Sequence, residues 1–145
     1  MANPLVPQGN INRLVASINF TTAPSFNITP SFLAKEAIRL SFAGNATTVL
    51  PTSTGVVNSP EPYMMAHFTA HLIRSQALAA SFKQLMETST LMGDCTIRPD
   101  ATTLPPYSLS NCSIESVDPM TFAGGEAGWV INFNGVYYIN QALWQ

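Results

Sequence analysis

Apolar residues recur at every second position along most of the chain, the period of a strand with one buried face. From Arg13 to Phe20, Leu14, Ala16, Ile18 and Phe20 fall on one side, with Arg13, Ser17 and Asn19 on the other and Val15 out of pattern. Pro24 and Pro30 punctuate the next stretch, so any strand around Asn27 is short or at an edge. Ile38, Leu40 and Phe42 alternate with Arg39 and Ser41 and predict a second strand ending at Gly44-Asn45; Thr47 to Leu50 predicts a third, stopped by Pro51. The segment from Pro51 to Pro62 reads as a loop by composition. Tyr63 to Leu72 alternates most cleanly, with Met64, Ala66, Phe68, Ala70 and Leu72 opposite Met65, His67, Thr69 and His71.

The period then changes. Leu78, Phe82, Leu85 and Met86 recur at helical spacing, Ser75 is a candidate N-cap, and Thr88-Ser89-Thr90 with Gly93 predicts the end. A turn-rich segment runs on to Pro106. Tyr107 to Val117 predicts a strand, with Leu109 and Val117 facing away from Cys112 and Ile114. The Gly-rich Gly124 to Gly128 predicts a connection, and Trp129 to Asn140 a long last strand with Trp129, Ile131, Phe133, Tyr137 and Ile139 on one face. Gly135 interrupts that strand and marks a bulge or a close backbone approach. About six strands around one central helix predict a mainly β fold, a β-sandwich or barrel with one flanking α-helix. The 145 residues fit one domain, preceded by an extended N-terminal arm over about residues 1–10.

Composition adds one unusual fact. Asp, Glu, Lys and Arg make up 10% of the chain, against roughly 25% in ordinary soluble domains. Ser, Thr, Asn and Gln take their place. Such a surface suits burial against copies of itself, because each unpaired ion removed from water costs several kcal/mol. Net charge is −2 and the six basic residues are scattered, which argues against phosphate-driven nucleic-acid binding. The sequence has no apolar stretch of the roughly 18 residues a membrane span needs, and its start lacks the basic and apolar regions of a signal peptide. Cys95 and Cys112 flank a Pro-rich loop and pair only if the fold brings them together; without an export signal they read as free thiols.

Candidate chemistry is thin. On a strand, His67 and His71 share a face but stand roughly 13 Å apart, too far for one metal ion. No Gly-x-Ser-x-Gly elbow is present, and neither cysteine sits in a nucleophile motif. Glu115 and Asp118 read as a solvated turn, and Gly124 to Gly128 lacks the Lys-Ser/Thr of a phosphate loop. The sequence therefore predicts neither an enzyme nor a cofactor.

The order of segments carries more. Ser59-Pro60-Glu61-Pro62-Tyr63 opens the strand that leads into the helix, and a Gly-Asp…Arg-Pro-Asp segment spans Gly93 to Asp100. Pro106-Tyr107-Ser108-Leu109, Ile114-Glu115-Ser116-Val117 and a terminal Tyr137-Tyr138-Ile139-Asn140 follow. With the opening Met1 to Gly9, this layout resembles the tail tube proteins of bacteriophages and, through them, the tube protein of type VI secretion. The resemblance spans nearly the whole chain and rests on layout and short phrases, not on one diagnostic signature. It implies a β-sandwich or barrel of the tail tube type, hexameric rings stacked into a tube in the virion, and assembly in the host cytoplasm. The lumen would hold a tape measure protein and pass DNA as non-specific cargo during ejection. Other partners would be baseplate or terminator proteins and, in a contractile tail, the sheath.

Under that reading His67, Thr69 and His71 are candidates to face the lumen, Thr54, Gly55, Val56 and Val57 to touch the next ring, and Lys83 and Glu87 to face outward. Two other readings fit the same residues. One is a different ring-forming tail part, a tube initiator or tail terminator. The other is a soluble carbohydrate- or peptide-binding β-sandwich, which the core-side placement of Trp129, Phe133 and Tyr137 disfavours.

Overall fold

The computed structural model describes residues 5–120, 122, 124, 125 and 127–144. The protein is mainly β, with one α-helix and a six-stranded antiparallel sheet curled into a half-barrel. In chain order the elements are β1 (Ser17–Phe20), β2 (Leu33–Ala43), β3 (Thr47–Pro51), β4 (Val56–Pro60), β5 (Tyr63–Ile73), α1 (Ala77–Thr88), β6 (Leu91–Arg98), β7 (Tyr107–Val117) and β8 (Gly128–Tyr138). The large sheet runs β1-β6-β7-β8-β5-β2, while β3 and β4 form a separate two-stranded ribbon. The layer over the sheet's apolar face comes from α1 and the Pro24–Phe26 turn.

Alternation decides what enters the core. Ala66, Phe68, Ala70 and Leu72 of β5 are buried, as are Trp129, Ile131 and Phe133 of β8, and Leu78 and Phe82 of α1 close over them. Phe68 stacks on Phe133 at 4.9 Å between ring centroids, and Phe82 meets Phe133 edge-on at 6.0 Å. Among the described residues no hydroxyl, amide or charged side chain is fully buried.

Several expectations need correction. The strand expected from Arg13 is shortened to β1, because residues 13–15 form a turn that leaves Leu14 exposed. The helix starts at Ala77 behind Gln76, so Ser75 is not its N-cap. The segment after the helix contains a full strand, β6. Its alternation is disguised at Gly93, where a left-handed backbone (φ 78°) accompanies a register shift between Leu91 and Cys95. A Cβ at that position would strike the Thr22 hydroxyl as well as requiring the left-handed conformation. A second irregularity, at Asn111 (φ 53°), puts Leu109 and Cys112 on the same buried side of β7 rather than on opposite faces. Glu115 lies within β7 and not in a turn.

The expected loop from Pro51 to Pro62 is the largest revision. Its second half is β4, paired with β3 in register from Thr47↔Pro60 to Pro51↔Val56. The prolines that suggested a loop sit at the ribbon's ends, where a missing N–H is tolerated.

Candidate functional site

The face of the sheet turned away from α1 is polar and built in rows across the strands. One row reads Arg39, Thr69, Asn132, Ser116, and the next Ser41, His67, Asn134, Ser113. Side chains within the rows bond to one another: Thr69 Oγ1 donates to Asn132 Oδ1 at 3.0 Å and Ser113 Oγ to Asn134 Oδ1 at 2.5 Å. Asn132 Nδ2 in turn donates to Asp118 Oδ1 at 2.7 Å and Ser116 Oγ at 3.1 Å. His67 Nδ1 lies 3.2 Å from Glu115 Oε2 in a half-exposed pair. His71 Nδ1 instead meets the Ala37 carbonyl at 3.1 Å, where residues 34–37 bulge out of β2 and Ala37 adopts φ 56°. His67, Thr69 and His71 thus share the polar face, but the two histidines serve different partners. Most of the amides and hydroxyls in these rows are thus satisfied by one another within the sheet.

The edges of the sheet differ. At the β1 edge, Ile18 exchanges both backbone hydrogen bonds with Ile28 (2.9 and 2.8 Å), and the Phe20 N–H donates to Asn27 Oδ1 at 2.7 Å. That edge is capped by the chain's own residues. Along β2 no described strand pairs beyond Ile38–Ala43, so this stretch presents an open ladder.

The β3–β4 ribbon is exposed at all but one of its positions. None of its residues is buried. Val49 is 55% exposed, Leu50 47%, Val56 64% and Val57 52%. The register places Leu50 opposite Val57 on one face, and Val49, Pro51 and Val56 on the other. Both faces of the ribbon therefore carry large apolar side chains that the described residues leave uncovered. Thr52 closes the tip: its N–H donates to the Gly55 carbonyl at 2.8 Å and its hydroxyl accepts from the Gly55 N–H at 3.0 Å. Thr54 and Gly55 sit in that exposed turn.

At the base, the Asn140 amide holds both legs, donating from Nδ2 to the Glu61 carbonyl at 2.8 Å and the Ala46 carbonyl at 3.3 Å. Trp144 Nε1 donates to the Pro62 carbonyl at 3.3 Å, and its ring meets Tyr138 edge-on. Sequence reasoning singled out Val56 and Val57 as candidates but not Val49, Leu50 or the Asn140 clamp. The four apolar residues flanking one Thr/Ser/Gly turn were the available signal.

On the far side of α1, Lys83 Nζ and Glu87 Oε1 form an exposed pair at 2.6 Å, despite the less favourable Lys-before-Glu order. Beside them a groove of about 780 Å³ runs between Ala79, Lys83 and Met86 and the opposing Val117, Met120 and Trp129. The Trp129 indole N–H is buried there with no acceptor among the described residues. In the N-terminal arm Leu5 and Val6 are exposed, as is Ile11 just after it. Residues 1–4 of the arm and Glu126 of the Gly-rich connection lie outside the described residues.

No family model matches the chain, and no curated protein is detectably similar to it in sequence.

Proposed function

We propose that the protein is a structural subunit of a bacteriophage tail tube, closing with copies of itself into hexameric rings that stack into a hollow cylinder. The observation that carries this reading is the β3–β4 ribbon. A two-stranded hairpin is marginal by itself in water, yet this one keeps four large apolar side chains in solvent on both faces. A second copy seated on the ribbon would cover them, each burial contributing on the order of 1–3 kcal/mol. The open Ile38–Ala43 edge offers a place for lateral pairing within a ring, and closure would remove it as a route to uncontrolled association.

The polar rows with His67, Thr69 and His71 are our candidate for the lumen. Their self-satisfied amides and hydroxyls, with few charges, suit a wall past which a tape measure protein or DNA moves without sticking. The α1 flank with Lys83, Glu87 and the Trp129 groove is our candidate for the outside, where a sheath would sit if the tail contracts. A tube initiator or tail terminator would use the same surfaces, and stacking distinguishes them: a tube subunit stacks on itself.

Negative-stain electron microscopy of the purified protein tests the reading, with a Val56→Ser/Val57→Ser variant beside the parent. Rings and tubes are expected from the parent, and rings that stack poorly from the variant. A parent that stays monomeric and folded at high concentration would sink the proposal. Tubes of normal length from the variant would move the stacking contact elsewhere, the N-terminal arm being next in line.

A further inference from the structure

Cys95 of β6 and Cys112 of β7 are 17 positions apart in sequence and have their sulfurs 2.9 Å apart in the core. Both side chains are essentially inaccessible and both are free thiols. Two features of the backbone bring them together. The irregular pairing at Gly93 and again near Asn111 turns both side chains to the same side of neighbouring strands. Gly135 of β8 leaves the space that Cys112 occupies, since a Cβ there would lie 3.0 Å from Cys112 Sγ. A buried cysteine alone is an ordinary small apolar residue. Two in sulfur-to-sulfur contact across adjacent strands, in a pocket shaped by a glycine, are a site for covalent chemistry.

We propose that this pair is a modification site: an intrachain disulfide that forms when the folded protein meets an oxidising environment and staples β6 to β7. The co-reactant is a small disulfide such as oxidised glutathione. One cysteine thiolate attacks it, forming a mixed disulfide and releasing one small thiolate. The second cysteine sulfur then displaces the other half. Two protein thiols lose two electrons and two protons, and the small disulfide becomes two thiols. The contact between the sulfurs and their burial hold the Cys95 thiol protonated far above its usual range, so the exchange is slow while the fold is closed and needs a local opening.

A protein made in a reducing cytosol keeps both thiols, and one that leaves it acquires the bond. Only this timing rests on the tail tube reading. It would make the disulfide a staple added after assembly and release.

The test uses the full chain, unfolded and refolded in an oxidising glutathione buffer, and in parallel held folded in that buffer. Samples are quenched in acid, then alkylated in denaturant and weighed intact. The refolded chains are expected to carry no alkyl label, to remain monomeric on a non-reducing gel, and to melt roughly 10 °C higher than the reduced form, as closing a loop of this length implies. A reductant should restore both labels and the lower melting point. Cys95→Ser and Cys112→Ser controls should gain nothing from the oxidant. The protein held folded in the oxidising buffer is expected to reach the same unlabelled state more slowly. Two labelled thiols after oxidative refolding or after prolonged oxidation of the folded protein, or an oxidised form that melts no higher, would overturn the proposal. A disulfide that forms in a protein that builds no rings would leave the staple standing and remove only the timing.

Discussion

The β3–β4 ribbon and the β5–β8 pair are made from similar material. Each is an antiparallel pair carrying large apolar side chains, and each has an unbroken register. In the β5–β8 pair one face is closed by α1, and Phe68 and Phe133 are fully buried. In the ribbon neither face is covered, and Val49, Leu50, Val56 and Val57 stay in water. The difference lies in the second layer, not in the strands. A region with its own second layer is stable within one chain, whereas a region without one depends on another molecule for most of the apolar burial that favours order. The molecule therefore divides into a self-sufficient body and a two-stranded element, about 17 Å long at ordinary strand rise, whose apolar side chains the described residues leave exposed.

Substitutions in the two regions should differ in kind. The largest effect belongs to the body: Phe68→Ala removes a ring stacked on Phe133 and is expected to cost about 3–5 kcal/mol, read by chemical denaturation of the dilute protein. A loss below about 1 kcal/mol would mean that the core does not depend on this stack. Asn140→Ala comes next. It removes two hydrogen bonds to the ribbon base and puts alanine at φ 48°, for an expected loss of about 1–2 kcal/mol. Its distinctive readout is hydrogen exchange, which should quicken over residues 46–61 more than in the body. Uniform quickening would show that Asn140 supports the whole fold and not the ribbon's anchorage. The smallest effect is expected on the polar face, where His67→Ala breaks only a half-exposed pair with Glu115 and should shift stability by less than about 0.5 kcal/mol. A loss comparable to that of Phe68→Ala would mean that the two faces of β5 are not functionally distinct.

The body was legible in the sequence wherever the period-two pattern ran uninterrupted. Met64 to Leu72 and Trp129 to Phe133 declared both their strands and their buried sides, and Leu78, Phe82, Leu85 and Met86 declared the inner face of α1. The pattern failed where the backbone inserts a residue. At Gly93 the irregularity hid β6, and at Asn111 it reversed the expected side of Leu109, which is why the cysteine contact could not be foreseen. Bulges shift every later side chain to the other face, and nothing local distinguishes them from turns. The ribbon was hidden for a different reason. Prolines at 51, 60 and 62 and a run of hydroxyl residues resemble a loop, because a strand covered on neither face by its own chain is under no pressure to alternate. The two adjacent valines that break alternation in β4 are explained by apolar positions on both sides of the ribbon.

Whether the ribbon is completed by a second copy can be read from hydrogen–deuterium exchange of residues 47–60, compared between dilute monomer and assembled particles. Fast exchange is expected across this segment in the monomer while Ala66–Leu72 and Trp129–Phe133 remain protected. Assembly should bring strong protection of 47–60, with little change in the body. A ribbon already as protected as the body in the monomer, or one whose exchange does not slow on assembly, would contradict that completion.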